Sequence, residues 1–196
     1  RDVERSRGLG DVYKRQDQNF AKFDMSFYST RPDGRSGISP RENMEYNLGE
    51  CKAYAAKFSK DSPNLLLFGS TGLGKTFLST CIAEAVSARG FSVAYDTAIN
   101  IVAAYETIKF GSGDGEAAAE RAARYERADL LIIDDMGTEM GTAFTVSALY
   151  NLINNRLMAR RPMIINTNLL PETLSEKYSP AAVSYTHLTL PTTPYV

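Results

Sequence analysis

The stretch Leu65-Leu66-Leu67-Phe68-Gly69-Ser70-Thr71-Gly72-Leu73-Gly74-Lys75-Thr76-Phe77 decides the fold. Its first four residues are apolar with no polar alternation, which reads as a short strand buried on both faces. Asp61-Ser62-Pro63-Asn64 breaks the chain just ahead of it. Gly69 to Thr76 then fits G-x-x-x-x-G-K-[ST], with a strand before it and an apolar helical stripe of Phe77, Leu78, Ile82 and Val86 after it. The spacing has a chemical purpose. Glycines let successive backbone N–H groups turn inward around a polyphosphate. A helix starting near Lys75 adds the positive end of its dipole. Lys75 can reach the β- and γ-phosphates, and the Thr76 hydroxyl can ligate Mg²⁺. The candidate nucleotide-binding residues are therefore Gly69, Ser70, Thr71, Gly72, Leu73, Gly74, Lys75, Thr76 and Phe77.

Working outward, Ser39-Pro40-Arg41-Glu42 is a capping box with proline at the first helical position. Met44, Leu48, Cys51, Ala55 and Phe58 follow on one helical stripe, so Cys51 reads as a core residue, and Cys81 likewise. Downstream of the loop the spacing predicts a helix to about Ala88, a strand over Phe91–Tyr95, and a helix over Ala98–Lys109. A glycine-rich loop over Gly111–Gly115, a helix over Glu116–Arg127 and a strand over Leu130–Ile133 come next. A long helix carrying Phe144, Leu149, Ile153 and Leu157 then leads into a strand over Met163–Ile165. Arg156, Arg160 and Arg161 are expected to cap the C-terminal end of that long helix. Short apolar strands alternating with helices predict an α/β protein, its parallel sheet covered on both sides.

Leu130-Leu131-Ile132-Ile133-Asp134-Asp135 ends a strand on two carboxylates. In an open parallel sheet that end faces the ligand crevice. Asp134 is the candidate second metal residue beside Thr76, holding Mg²⁺ through water. Asp135 is the candidate for orienting or deprotonating an attacking water, with Glu139 as a second possibility. Asn168, just past the last apolar strand, could bond the γ-phosphate or that water, or could simply open the turn before Pro171. Lys75, Asp135 and Asn168 form the candidate catalytic set.

Composition narrows the rest. The chain of 196 residues holds one histidine, two cysteines and no tryptophan. A disulfide framework, a four-thiolate zinc site and histidine-pair metal chemistry are excluded. Near balance of 22 basic and 23 acidic residues gives no global pull on nucleic acid, so any such contact needs a local patch. No apolar run reaches membrane-span length and no secretory leader opens the chain, so no membrane association and a cytoplasmic location are expected. The two ends differ from the middle. GLGDVYKRQ, within residues 1–16, and VSYTHLTLPTTPYV, residues 183–196, resemble translated adapter or vector sequence. They are expected to be non-native additions to an ATP-binding domain spanning residues 17–182, and to be left out of fold reasoning.

With FGSTGLGKT, LLIIDDMGTE and IINTN in that order, the middle of the chain resembles the AAA+ ATPases of the DnaC/IstB type. These comprise helicase loaders and ATPases that assist transposases. The resemblance implies a three-layer P-loop NTPase of the AAA+/RecA-like kind with strand order 5-1-4-3-2. It implies ATP and Mg²⁺ at Lys75, Thr76, Asp134 and Asp135, and Asn168 as sensor 1. A DnaB-type replicative helicase is the implied partner, with single-stranded DNA a further one and homo-oligomerisation plausible in the full-length protein. Lys109 and Phe110 would offer a phosphate contact and a stacking ring to such a strand, although a solvated helix end is the simpler reading. The family places a Ser-Arg pair, source of an arginine finger, soon after a Tyr-Ser-Pro segment; here Tyr178-Ser179-Pro180 leads to Ala181-Ala182, and no Arg or Lys follows Lys177. ATP hydrolysis by this chain is therefore expected to be weak. A small-molecule kinase lacks support because no arginine-rich lid is present, and Asn166-Thr167-Asn168-Leu169 is not an N-K-x-D guanine motif. A nucleotide switch without hydrolysis is a further possibility.

Overall fold

The computed structural model describes residues 19–34, 37–111, 113–139, 141–178 and 186–190. At its centre five strands pair in parallel: β1 Leu65–Phe68, β2 Val93–Thr97, β3 Leu130–Met136, β4 Met163–Thr167 and β5 Thr186–Thr189. Their order is β2-β3-β4-β1-β5, which from the other edge is the expected 5-1-4-3-2. Parallel neighbours need crossovers, and helices supply them. The crossover helices are α2 Lys75–Ala88, α3 Ala98–Phe110, α4 Gly115–Arg127, α5 Ala143–Met158 and α6 Pro171–Tyr178, and α1 Pro40–Lys57 precedes the first strand.

Alternation along each strand divides the core in two. Leu65, Leu67, Leu130, Ile132 and Ile164 face α1 and α2, where Met44, Cys51, Leu78, Ile82 and Val86 cover them. Leu66, Leu131, Ile133 and Ile165 face the other helices and meet Ile101, Tyr125, Leu149, Leu152 and Leu174. Neither cysteine forms a disulfide, both are buried, and burial pushes each thiol up to about 12, so both are the inert core residues expected. The capping box closes as read. The Glu42 N–H donates to Ser39 Oγ at 3.2 Å, and the Ser39 N–H donates to Glu42 Oε2 at 2.8 Å.

Strand limits depart from expectation in one consistent direction. β2 starts two residues later than expected because Phe91 packs edge-on against Phe58, ring centroids 5.0 Å apart, before the strand begins. β2, β3 and β4 all run further, to Thr97, Met136 and Thr167, carrying polar residues into the sheet. The fifth strand falls inside the segment set aside above. Leu65 pairs with Thr186 and Phe68 with Thr189, and Leu190 is buried beside them. Edge pairing is a backbone property and carries no information about where a segment comes from. Residues 1–16 lie outside the described residues, as do Ser179 to Ala182 and the remainder of 183–196.

The arginines are a correction. Arg156 and Arg161 do not cap their own helix. The Arg156 guanidinium is buried and donates to the carbonyls of Tyr125, Glu126, Ala128 and Pro162 at 2.7–3.1 Å. Arg161 reaches the carbonyls of Glu126 and Arg127. Both therefore close the C-terminal end of α4, where negative dipole and orphan carbonyls gather. The turn after α5 brings them there: the Arg161 N–H bonds Arg156 O at 2.9 Å, and Arg160 takes φ +52°. Among the described residues no helix is long and apolar enough to cross a membrane.

Candidate functional site

The crevice lies at the C-terminal ends of β1, β3 and β4. β1 feeds directly into the glycine loop, and α2 leaves it at Lys75. Gly69, Gly72 and Gly74 have φ of +143°, +79° and +93°. Gly74 is the strictest of them, because a Cβ there would lie 2.8 Å from the Tyr28 hydroxyl as well as in left-handed backbone. No side chain caps α2 at Gly74, so its first-turn N–H groups are donors suited to an anion. Ser70, Thr71 and Gly72 are exposed along the loop's outer edge, whereas Leu73 is buried in the core below.

Lys75 is only 6% exposed, and its ammonium donates to Gly69 O at 2.8 Å and Ser70 O at 2.7 Å. Burial lowers its pKa, and the charges of Asp135 and Asp134 oppose that effect. Both aspartates thus lie within electrostatic reach of the loop lysine.

Asp134 sits 2% exposed at the centre of a hydrogen-bond cluster. Its Oδ1 accepts from Thr76 Oγ1 at 3.1 Å, Asn166 Nδ2 at 2.8 Å and the Asp135 N–H at 3.1 Å. Its Oδ2 accepts from Tyr95 Oη at 2.7 Å. Burial, together with the Asp134 charge, pushes the Tyr95 phenol upward, so it stays a proton donor at neutral pH. Next in sequence, Asp135 is exposed with φ +52°, and β3 loses its regular register with β4 between Ile133 and Met136. Such a bulge re-aims consecutive side chains, which separates the roles of two adjacent carboxylates.

The other candidates divide clearly. Glu139 is buried and engaged on both oxygens, by the Gly137 N–H at 2.9 Å and the Lys177 ammonium at 3.0 Å. That geometry favours Asp135 over Glu139 as the group that faces water. Asn168 stands exposed one residue beyond β4, at the same sheet edge as the glycine loop. Asn166, inside β4 and fully buried, is the asparagine that contacts Asp134. Sequence reasoning missed Asn166, Ser79 and Tyr95. The signal available was Asn166 lying two residues before Asn168, hence on the same strand face, had β4 been extended that far.

The segment ahead of α1 was missed as well. Tyr28 Oη donates to Leu73 O at 3.1 Å, the Phe23 ring lies parallel to Tyr28, and its edge meets Phe77. This places an aromatic cluster over the start of α2, which explains why Phe77 is half-buried. Lys109 is exposed at the end of α3, as a solvated helix end would be, and it also meets two rings. Its ammonium stands 4.5 Å from the Phe144 ring centroid and 5.5 Å from that of Phe110, beside a cleft of about 700 Å³ between α3 and α5. Phe110 itself is exposed.

A parallel 5-1-4-3-2 sheet, a G-x-x-x-x-G-K-T loop at the end of β1 and a buried aspartate two strands away define a P-loop nucleotide-binding domain of the AAA+ class. Within that class the chain belongs to the IstB-like ATP-binding family, whose model, described as IstB-like ATP binding protein, matches residues 51–186. It is 25% identical over 154 residues to the replicative helicase loader DnaC of Escherichia coli strain K12, a match covering 71% of this chain and 62% of that protein. It is 28% identical over 108 residues to an ATP-binding protein in an insertion sequence of Mycobacterium tuberculosis, covering 55% of this chain and 41% of that one. A crystal structure of the DnaC helicase loader superposes with a TM-score of 0.69 at 15% identity, covering 91% of this chain and 99% of that one. A replication initiator DnaA bound to AMPPCP and single-stranded DNA superposes at 0.64 with 20% identity, covering 89% and 50%. These superpositions bear on the fold. The chain spans about three fifths of the length of the DnaC proteins it matches.

Proposed function

We propose that this chain is an ATP-dependent helicase loader of the DnaC kind, built on an Mg²⁺-dependent ATP site at Gly69–Phe77, Asp134, Asp135 and Asn168. One observation carries the nucleotide reading: Thr76 and Asp134, 58 residues apart, meet at 3.1 Å beside the loop that holds Lys75. A hydroxyl and a carboxylate suit Mg²⁺, a hard cation that keeps most of its waters and takes one or two protein oxygens. When bound, that ion would neutralise charge on the β- and γ-phosphates. Lys75 exchanges its bonds to the Gly69 and Ser70 carbonyls for phosphate oxygens. The first-turn amides of α2 hold the phosphates in place, Asp135 orients the attacking water, and Asn168 fixes the γ-phosphate or that water.

Asp135→Asn keeps shape and removes the charge. It should leave the ATP dissociation constant within about threefold while lowering turnover in the full-length protein by about 10²-fold or more, within the range of a lost general base. Calorimetry paired with phosphate release checks both halves, and unchanged turnover would remove Asp135 from the mechanism. The 196-residue chain should itself be a slow ATPase, because an arginine finger is worth roughly 10³–10⁵ in rate and no Arg or Lys follows Lys177. Brisk turnover stimulated by single-stranded DNA would contradict this.

The DnaC similarity over 71% of the chain supports a replicative helicase of the DnaB type as partner. Co-purification with a hexameric replicative helicase, dependent on ATP, tests the assignment. A second reading, an ATPase that assists a transposase, is favoured by the family model and by the insertion-sequence relative. A transposase gene beside this one, with no helicase association, would select it. Single-stranded DNA is a further proposed ligand, for which Lys109 and exposed Phe110 at the end of α3 are the residues to test.

A further inference from the structure

From the cluster around Asp134 we infer that Tyr95 and Asn166, supported by Ser79, are positioning residues that set the metal-holding carboxylate for its cation. The inference rests on the proposed Mg²⁺–nucleotide site. Tyr95 lies mid-way along β2 opposite Ile132 of β3, so its ring crosses under the sheet end and its hydroxyl reaches Asp134 Oδ2 at 2.7 Å. Asn166 comes from β4 on the opposite side of β3 and donates to Asp134 Oδ1 at 2.8 Å. The second Asn166 amide hydrogen goes to Ser79 Oγ at 2.8 Å. Ser79 in turn donates to Thr76 O at 3.1 Å and lies 3.3 Å from Tyr95 Oη. The three side chains therefore join both flanking strands and α2 into one buried frame, with Asp134 and Thr76 as its two outputs.

Three features separate this frame from ordinary core polarity. Every donor to the carboxylate from it is neutral, so the frame orients Asp134 without cancelling the charge a cation needs. Each of its members is at most 7% exposed, so water does not stand in for a lost donor. Both carboxylate oxygens are held, one from each neighbouring strand, which removes rotation about the Asp134 side chain. Asn166 Oδ1 is buried with no partner, so that amide is set by its two donor bonds alone. Partners of this kind around metal ligands are typically worth 10–100-fold in metal affinity.

The test uses the 196-residue chain loaded with ADP, with Mn²⁺ as the probe and its free electron paramagnetic resonance signal as the readout. Tyr95→Phe should raise the half-saturating Mn²⁺ concentration about tenfold. ADP affinity in EDTA should stay within about twofold. Asn166→Ala should give the same split, and it serves alone if Tyr95→Phe does not fold. Tyr125→Phe is the control, since Tyr125 Oη also donates to a buried carboxylate, Asp96 Oδ2 at 2.6 Å, away from Asp134. It should leave Mn²⁺ binding unchanged. Overturning results are Mn²⁺ binding in both test variants equal to wild type, or equal losses of ADP affinity with and without metal. Failure of the wild-type chain to bind ADP at all would instead remove the nucleotide reading, and the inference with it.

Discussion

Lys75→Ala should abolish measurable ATP binding while leaving the fold intact. The Lys75 ammonium is held at the carbonyls of Gly69 and Ser70, inside the loop that the β- and γ-phosphates would fill. Removing it deletes the point charge that meets the most highly charged part of the ligand, in a setting where burial strengthens electrostatics. Loss of about 10²–10³ in affinity, roughly 3–4 kcal/mol, would carry a micromolar site past the range of a calorimeter. Folding has less to lose, because burial already disfavours the charged amine, as its lowered pKa records. An unchanged dissociation constant in Lys75→Ala would refute the assignment of the loop. A collapsed thermal transition would show instead that the lysine is structural.

The largest effect on stability should come from Arg156→Met. This side chain is 1% exposed and satisfies carbonyls of Tyr125, Glu126, Ala128 and Pro162. Methionine fills much of the volume but donates nothing. Each buried acceptor stripped of its partner costs about 1–3 kcal/mol, and with relaxation the sum should be about 3–5 kcal/mol. That is a large part of the roughly 5–15 kcal/mol that holds a domain together. The effect should appear as a fall in denaturant midpoint at constant slope. A shift below about 1 kcal/mol would mean that the end of α4 is closed by other means.

How much of this was legible in the sequence depended on whether neighbours or distant contacts decided each feature. The glycine loop, the capping box and the apolar strand runs are local patterns, and they led to the parallel α/β sheet and the positions of Lys75, Thr76 and Asp134, whereas the strand order came from the resemblance to DnaC/IstB-type ATPases. Strand ends were not local. β3 and β4 run on through Asp134, Asp135 and Asn166, Asp134 paired with Thr97 of β2 and Asn166 with Leu67 of β1, although such residues read as loop because polar groups rarely continue a buried strand. They continue here because Tyr95, Thr76 and Asn166 satisfy Asp134 from three other elements. Arg156 was placed at its own helix end because sequence adjacency is all that a capping rule sees. Three of the four carbonyls it serves lie about 30 residues earlier, at the end of α4. Asn168 is read from its place just past the apolar run, and Asn166, inside β4, makes the contact with the buried carboxylate. The fifth strand lies in the segment set aside as non-native, Thr186–Thr189 carries no apolar run, and its pairing with β1 is made by backbone.

The central claim is that one nucleotide and one metal share the ground between the glycine loop and the end of β3. A crystal structure of the chain grown with Mg²⁺ and a non-hydrolysable ATP analogue tests it most directly. The β- and γ-phosphates should lie within the amides of Gly72–Thr76, with Lys75 swung from the Gly69 carbonyl to phosphate and the metal between Thr76 and Asp134. Phosphates bound anywhere else, or a metal that avoids both of those side chains, would contradict the account.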